Sequence, residues 1–405
     1  MKKAFLSADP AIDDSPLAHF GGMVERCLAH AEALKARGRP VVGIMCEFTP
    51  REIILAAGAA PVCLCGGALE TIPAAEACLP VNLCPLIKST FGYHAQRSNP
   101  FLEKADLVVA ETTCDGKKKM FELLAEARPL HVLELPQKPD DPDAFTHWLR
   151  EIRKFKSALE LRFHVRITGT KLRTAIRLMN RERGLRRELA GLMSLEQPPL
   201  TGRQLLEFKS LISGIEADLG EYDRAARLYK AGAAASGSPR ARRREPAPVR
   251  VLMTGVPMVH GAERAIELIE GQGAVVVAQE NCTGLKPILE DIDAEAHDPL
   301  RAVAEKYFHL PCSVMTANER RLESLAALAA KFRPQCVIEL VWHACLTYDV
   351  ESFLVRRFVE ERLELPYLKI ETDYSPSDSA RLALRVAALF ETVRSRAQGV
   401  RAGGP

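Results

Sequence analysis

Six of the eleven cysteines follow short apolar segments or begin predicted helices, where a thiol can serve as a metal ligand. They fall three in each half of the chain: Cys46, Cys84 and Cys114, then Cys282, Cys312 and Cys345. The intervals between them, 38 and 30 residues and then 30 and 33, are each about one β/α repeat long. Because sites in open parallel sheets form beyond the carboxyl ends of the strands, we expect these thiols to converge there. A thiol near the amides of a helix N-terminus is favoured as thiolate, the form that binds metals.

The number of these cysteines narrows the kind of metal site. One [4Fe–4S] cubane is saturated by four thiolates, and so is one zinc ion. Two sets of three instead suit two cubanes that each lack one protein ligand. The open iron could bind substrate, or a bridging sulfide could join the cubanes. However, the chain has no compact CxxC pairs here, and unpaired cysteines often fill the core, so spacing alone leaves metal binding and core packing both open.

The other five cysteines are predicted to have packing roles. Cys27 on a helix and Cys336 before a strand are expected in the core. Cys63 and Cys65 fall on one face of an apolar strand, which favours core packing, with a role as ligand or ligand neighbour as the alternative. Cys78 is expected in a loop or in the core.

Composition excludes several classes of protein. The net charge of +3 and the lack of a basic stripe argue against nucleic-acid binding. No apolar run reaches the length of about 18 residues that a membrane span needs. There is no signal-peptide pattern, and eleven cysteines then indicate a reducing compartment, so we expect a cytoplasmic protein. No P-loop motif is present, which predicts that the chain binds no nucleotide directly.

The first 142 residues alternate between short apolar runs and helical patterns. Strands are predicted at 41–45, 60–65, 106–110 and 131–135. A helix is predicted over 15–37, and Thr49 is a candidate N-cap for a helix with Pro50 in its first position. The run Lys117-Lys118-Lys119 is interpreted as a solvated helix face, with contact to a phosphate or to an acidic partner surface as the alternative.

The remainder contains a helical segment and a second α/β unit. Strands are expected at 251–255, 274–278, 337–342 and 367–371, and helices at 260–270, 298–308, 318–331 and 376–396. The fold class is therefore α/β, with two doubly wound parallel-sheet domains and a helical insert or arm between them. The predicted limits are 1–142 for the N-terminal domain, 143–235 for the helical insert, 236–248 for a linker, 249–396 for the C-terminal domain and 397–405 for a frayed tail.

Several motifs resemble those of the 2-hydroxyacyl-CoA dehydratase and benzoyl-CoA reductase family. The first half carries CEFTPREIILAAG at 46–58, NLCPLIKS at 82–89 and ETTCDGKKKM at 111–120, which look like the double-cubane cluster proteins within that family. The second half has looser matches: ENCTG at 280–284, LPCS at 310–313, WHAC at 342–345 and ETDYS at 371–375. The chain departs from the pattern after Cys312, where Ser313-Val314-Met315 stands in place of an expected further cysteine.

The resemblance implies a double-cubane iron–sulfur cluster held by the six cysteines, and a homodimer. It also implies a separate ATP-hydrolysing iron–sulfur activator that delivers low-potential electrons, so that the chain is an oxidoreductase acting on a small molecule. His343 and Glu47 are candidate proton donors by position, whereas a packed or hydrogen-bonded role is the simpler interpretation for His343 and for His260.

Two other functions stay open. The chain could be a 2-hydroxyacyl-CoA dehydratase subunit with a single [4Fe–4S] cluster, which would remove water from a CoA thioester by a radical route within a heterodimer. It could also be a non-catalytic electron carrier or cluster scaffold.

Overall fold

The computed structural model describes residues 15–236 and 247–402 and contains two parallel four-stranded sheets. The first sheet consists of β1 Val41–Ile44, β2 Ala60–Cys63, β3 Leu107–Glu111 and β4 Leu130–Leu133, in the order β2-β1-β3-β4. The second consists of β5 Val249–Gly255, β6 Ala274–Glu280, β7 Cys336–Trp342 and β8 Tyr367–Thr372, in the order β6-β5-β7-β8. The two sheets thus share one strand order, and the predicted α/β class with two parallel sheets is confirmed.

Helices cover the sheets and connect the strands. Those of the first part are α1 Pro16–Gly21, α2 Met23–Ala36, α3 Arg51–Ala56, α4 Ile72–Ala75, α5 Pro85–Ala95, α6 Pro100–Lys104 and α7 Asp115–Ala125. The middle part holds α8 Ala144–Phe163, α9 Gly169–Gly191, α10 Gly202–Glu207 and α11 Glu216–Ser236. The last part holds α12 Arg264–Gly271, α13 Pro299–Phe308, α14 Glu319–Phe332, α15 Leu346–Glu361 and α16 Ser379–Ala402.

The central strands are apolar because both of their faces are covered. Every residue of β1, β3 and β7 is buried. Continuous runs of β-branched and other apolar residues, such as Leu107-Val108-Val109, are typical of parallel strands between two helical layers. Because these strands are packed on both faces, the positions of their carboxyl ends, where the connecting loops begin, are fixed.

The helices of the middle part pack against both α/β units. On α8, the Trp148 indole is fully buried and its Nε1 donates to the carbonyl of Ala304 in α13 at 3.0 Å. On α9, Arg183 is buried and pairs with Glu52 of α3 at 2.8 Å. The segment is therefore a packed layer in this structure. The predicted domain limits stay a prediction, and residues 237–246 of the predicted linker lie outside the described residues.

Several predicted helix boundaries were wrong. The helix predicted over 15–37 is divided into α1 and α2 at Gly22, because glycine has low helix propensity. The helix predicted from residue 260 begins at Arg264, since Gly261 adopts a left-handed φ of 94°. Helix α16 extends to Ala402, past the predicted end at 396.

The predicted N-cap at Thr49 was also wrong. Helix α3 begins at Arg51, so that Pro50 occupies the capping position and provides no side-chain hydrogen bond. The Thr49 hydroxyl is fully buried and donates instead to the carboxylate of Glu111 at the end of β3. A buried carboxylate needs such donors, and this need outweighs the capping interaction.

Candidate functional site

A cavity of about 610 Å³ lies where both α/β units and the helices of the middle part meet. All six cysteines singled out from their spacing line it: Cys46, Cys84, Cys114, Cys282, Cys312 and Cys345. Apolar side chains, among them Leu86, Ile87 and Trp342, form much of the remaining wall. The expected convergence of thiols from both halves is therefore present in the structure.

The local fold explains this convergence. Cys114 and Cys345 directly precede α7 and α15, each in the loop after a central strand, and Cys84 directly precedes α5. Cys46 and Cys282 each lie two residues beyond a strand. Cys312 is in the loop between α13 and α14. Since parallel strands end at one edge of a sheet, the four loops that follow strands face the same region, and the loops that carry Cys84 and Cys312 also reach the cavity.

Most of the electrostatic interactions among the thiols fall within two sets of three, and each set draws on both halves of the chain. The Cys84 and Cys345 thiols interact with each other, and this interaction lowers the pKa of Cys84 and raises that of Cys345. Cys114 interacts electrostatically with both of these thiols and also with Cys312. Burial raises the pKa of Cys46, whereas the charge of Lys117 lowers it. Cys46 interacts electrostatically with Cys282 and Cys312.

The distances between the sulfur atoms distinguish a site for a single metal ion from a site for a metal cluster. Four thiolates around one zinc ion lie about 3.8 Å apart, given Zn–S distances of about 2.3 Å. Among the residues that the structure describes, no three of these sulfur atoms lie within 4.8 Å of one another. The thiols are thus too widely spaced for one tetrahedral ion, and their number, burial and soft sulfur donors fit a polynuclear iron–sulfur group.

Two buried lysines, one from each half of the chain, lie near the thiols. Lys117 donates to the carbonyl of Met45 at 2.7 Å and lies 4.0 Å from Glu111. Lys286 lies 3.0 Å from Glu280 and donates to the Tyr348 hydroxyl at 3.2 Å. Each lysine follows its glutamate by six residues, and each glutamate ends a strand.

The interpretation of Lys117 as part of a solvated helix face was wrong. Its side chain is only 16% exposed, whereas those of Lys118 and Lys119 are 48% and 74% exposed. Although burial disfavours the ammonium, the nearby Cys46 and Glu111 raise the pKa of Lys117 above its ordinary value. The shared glutamate-to-lysine interval in the two halves was the sequence signal that could have identified both lysines.

The two predicted proton donors occupy different environments. Glu47 lines the cavity, and its carboxylate accepts two hydrogen bonds from Arg51. Burial raises the pKa of Glu47, but Arg51 outweighs burial and lowers it. His343 does not line the cavity; its ring is half-exposed, with Nδ1 3.8 Å from Asp373. His260, which does line the cavity, is 56% exposed and lies 3.7 Å from Glu263.

The remaining cysteines are mostly where the sequence placed them. Cys27 and Cys336 are fully buried, and Cys78 is exposed. Cys63 and Cys65 were expected to fill the core but line the cavity, because β2 ends at Cys63. The Cys63 thiol accepts a hydrogen bond from Arg51 at 3.6 Å, and the Cys65 thiol donates to the carbonyl of Met45 at 3.3 Å.

The chain is similar in sequence to several known proteins. The family model described as 2-hydroxyglutaryl-CoA dehydratase, D-component, matches residues 46–393. The chain is 40% identical to the Escherichia coli protein named dehydratase subunit YjiM, over 88% of this chain and 92% of that protein. It is 28% identical to a subunit of benzoyl-CoA reductase from Thauera aromatica, over 39% of this chain and 41% of that protein. It is 26% identical to the beta subunit of lactoyl-CoA dehydratase from Anaerotignum propionicum, over 37% of this chain and 40% of that protein.

Proposed function

Because this chain belongs to the family of 2-hydroxyglutaryl-CoA dehydratase D-components, we propose that it is an iron–sulfur reductase whose cavity holds a double-cubane [8Fe-9S]-type cluster. The observation that carries the proposal is the convergence of six thiols, three from each half of the chain, on one cavity. When bound, the cluster would supply low-potential electrons for the reduction of a small molecule.

Each group of three cysteines would hold one cubane. Cys84 and Cys114 of the first half act with Cys345 of the second, and Cys46 acts with Cys282 and Cys312. Ligands that cross between the halves would fix the two α/β units relative to each other. Burial keeps most of these thiols protonated in the metal-free chain, so that metal binding would release protons.

The chain's own residues would also set the charge and the solvent access of the site. Lys117 and Lys286 place ammonium groups among thiolates that would otherwise be uncompensated buried charges. The apolar part of the wall would offer no hydrogen-bond donors to the sulfur atoms, which favours a low reduction potential. Glu47, inside the cavity, and His343, outside it, complete the proposal as proton donors to the reacting molecule; because Arg51 holds Glu47 ionised, Glu47 would first have to take up a proton.

The proposal includes partners. A separate ATP-hydrolysing iron–sulfur activator would deliver the electrons, and the chain would itself bind no nucleotide and no nucleic acid. A homodimer is supported by Leu346, Val350 and Phe353, which lie on one side of α15 and are 72%, 76% and 68% exposed. Apolar side chains this exposed are typical of a surface that a protein partner covers.

A cytoplasmic location belongs to the same proposal. All eleven cysteines are free, as in proteins of reducing compartments. In the part of the chain that the structure describes, no helix combines the length and the apolar character needed to cross a membrane.

The alternative function is a 2-hydroxyacyl-CoA dehydratase subunit. It is favoured by the dehydratase names of the family model and of two relatives. Such a subunit would carry one [4Fe–4S] cluster, pair with a different subunit and remove water from a CoA thioester.

The deciding experiment is the content of iron and acid-labile sulfide per chain, in protein purified without oxygen. About eight irons would support two cubanes, because each cubane contains four. About four would favour the dehydratase-type subunit. If no iron binds, even after reconstitution that succeeds with a control iron–sulfur protein, both functions are excluded.

A further inference from the structure

The cavity extends beyond the thiols to a wall formed by the middle helices and α13. Arg186 of α9 and Lys306 of α13, which we call the cationic wall, both line it. Neither is close in sequence to a proposed cluster ligand. The cavity therefore has a second, differently charged side where a molecule in contact with the thiols could extend.

Lys306 is a buried cation without a carboxylate partner. The residue is 8% exposed, and its Nζ donates to the carbonyl of Pro287 at 3.1 Å. Within the described ranges 15–236 and 247–402, no carboxylate oxygen lies within the 4.0 Å that defines an ion pair with it. Burial, reinforced by the charge of Arg183, lowers the pKa of Lys306 to about 8. Buried charges in folded proteins are normally paired, so an unpaired ammonium that faces a cavity indicates a bound anion.

The nearby carboxylates of Glu52 and Glu47 attract Lys306, but each of them is already paired with an arginine. Arg51 binds Glu47, and Arg183 binds Glu52 at 2.8 Å. Each of these pairs is neutral as a whole. The ammonium of Lys306 therefore adds one uncompensated positive charge to this part of the cavity.

Arg186 provides a second cationic side chain, and its ion pair with Glu182 is long. Its Nη1 lies 3.8 Å from Glu182, beyond hydrogen-bond distance. The other oxygen of Glu182 accepts from the backbone amide of Gly214 at 2.8 Å. The guanidinium is thus free to turn its donors toward a ligand, and guanidinium groups bind carboxylates with well-defined geometry.

We propose that the cationic wall is an anion subsite that binds the carboxylate of a small substrate and directs the rest of the molecule toward the thiols. This inference rests on the proposed function, which it deepens by assigning the substrate class. Binding the carboxylate would hold the reacting part of the substrate at a fixed position, and such orientation is a large component of catalysis.

The test uses a carboxylate probe and a reporter thiol inside the cavity. Iodoacetate is a small carboxylate, iodoacetamide is its neutral analogue, and both alkylate thiols. Cys63 lines the cavity, is not a proposed ligand and interacts electrostatically with Arg186. Cys78 is exposed and does not line the cavity, so it serves as the internal reference. The ratio of the two alkylation rates at each cysteine is measured by mass spectrometry on the full chain.

We expect the iodoacetate preference at Cys63 to exceed that at Cys78 several-fold. Lys306→Met and Arg186→Met should each reduce it, whereas Lys306→Arg should retain it. Arg177→Met is the matched control, since it removes an exposed charge from the same helix as Arg186. Equal ratios at the two cysteines, or a ratio at Cys63 that both Met variants leave unchanged, would overturn the inference.

A second measurement tests the subsite if neither reagent reaches Cys63. Saturable broadening of the fluorine NMR signal of trifluoroacetate by the unaltered chain, lost in Lys306→Met and kept in Arg177→Met, would support the subsite. Broadening that is absent or equal in all three proteins would overturn it. Iron content is determined separately on the same samples. Failure of the cluster proposal is thereby distinguished from failure of the subsite proposal.

Discussion

The Glu47 carboxylate accepts hydrogen bonds from two nitrogens of Arg51, at 2.6 and 2.8 Å. This paired geometry is among the strongest ionic contacts in proteins, and it holds Glu47 as an ionised acceptor. Because both side chains are mostly buried, 10% exposed for Arg51 and 17% for Glu47, removing one partner leaves the other charge poorly solvated.

We therefore expect Glu47→Gln to lower the free energy of unfolding by about 1–3 kcal/mol, less than for a fully buried pair. Urea denaturation measures this loss. Glu32→Gln, which alters an exposed pair with Lys104, should change stability by less than about 1 kcal/mol. Unchanged stability of Glu47→Gln together with lost turnover would instead assign Glu47 the role of a proton donor.

Arg183 and Glu52 connect α9 to α3 through a pair in which both side chains are nearly inaccessible, 3% and 0% exposed. Arg183→Met should destabilise the protein by about 3–5 kcal/mol, because it leaves a buried carboxylate without its partner. Arg181→Met on the same helix breaks only an exposed pair with Glu216 and should cost about 0–1 kcal/mol. Equal denaturation midpoints for the two variants would contradict this account.

The same pair predicts a pH dependence. Burial raises the pKa of Glu52, but the charge and hydrogen bond of Arg183 outweigh it and lower the pKa below its ordinary value. The stabilisation is therefore fully present above the unfolded carboxyl pKa of about 4.3 and is lost as the pH falls through the lower folded value. Stability measured between pH 6 and pH 3 should lose this contribution in the unaltered chain, whereas Arg183→Met has no such contribution to lose.

Sequence patterns identified the cysteines of the cavity more successfully than they identified the polar residues around those cysteines. Cys114 and Cys345 were recognisable because an apolar strand precedes each and a helix follows. Helical periodicity did not distinguish Lys117 from Lys118, since adjacent positions on a helix differ in burial only once the helix is packed. Thr49 carried a clear capping signal, but its hydroxyl binds a buried carboxylate far away in sequence, that of Glu111. Local signals thus located the site, and long-range packing determined its charges.

Lys117 offers a test of how the chain tunes the site. Its ammonium lies within 4.0 Å of Glu111 and interacts electrostatically with Cys46 and Cys114. Lys117→Met should lower the midpoint potential of the cluster by several tens of millivolts, because the reduced form carries more negative charge and loses a nearby positive charge. For one electron, about 59 mV corresponds to about 1.4 kcal/mol. Redox titration followed by electron paramagnetic resonance measures this shift.

Lys118→Met is the matched control for that shift. Lys118 is the adjacent residue, it is 48% exposed, and its ion pair with Asp115 lies at the surface. Water and salt screen a charge in that position, so the potential should remain unchanged. Equal shifts in the two variants would show that burial of Lys117 has no special effect on the cluster.

The crossing of ligands between the halves gives the sharpest prediction for the cluster. If Cys84, Cys114 and Cys345 share one cubane, Cys84→Ser and Cys345→Ser should produce the same partial loss of iron, about four per chain, although the two residues lie in different halves. Cys312→Ser should affect the other cubane and give a different resonance spectrum. Cys78→Ser, at an exposed thiol outside the cavity, should leave the iron content unchanged. Should Cys84→Ser instead match Cys46→Ser, and Cys345→Ser match Cys282→Ser, each cubane would belong to one half, and the interaction between Cys84 and Cys345 would be a feature of the metal-free chain alone.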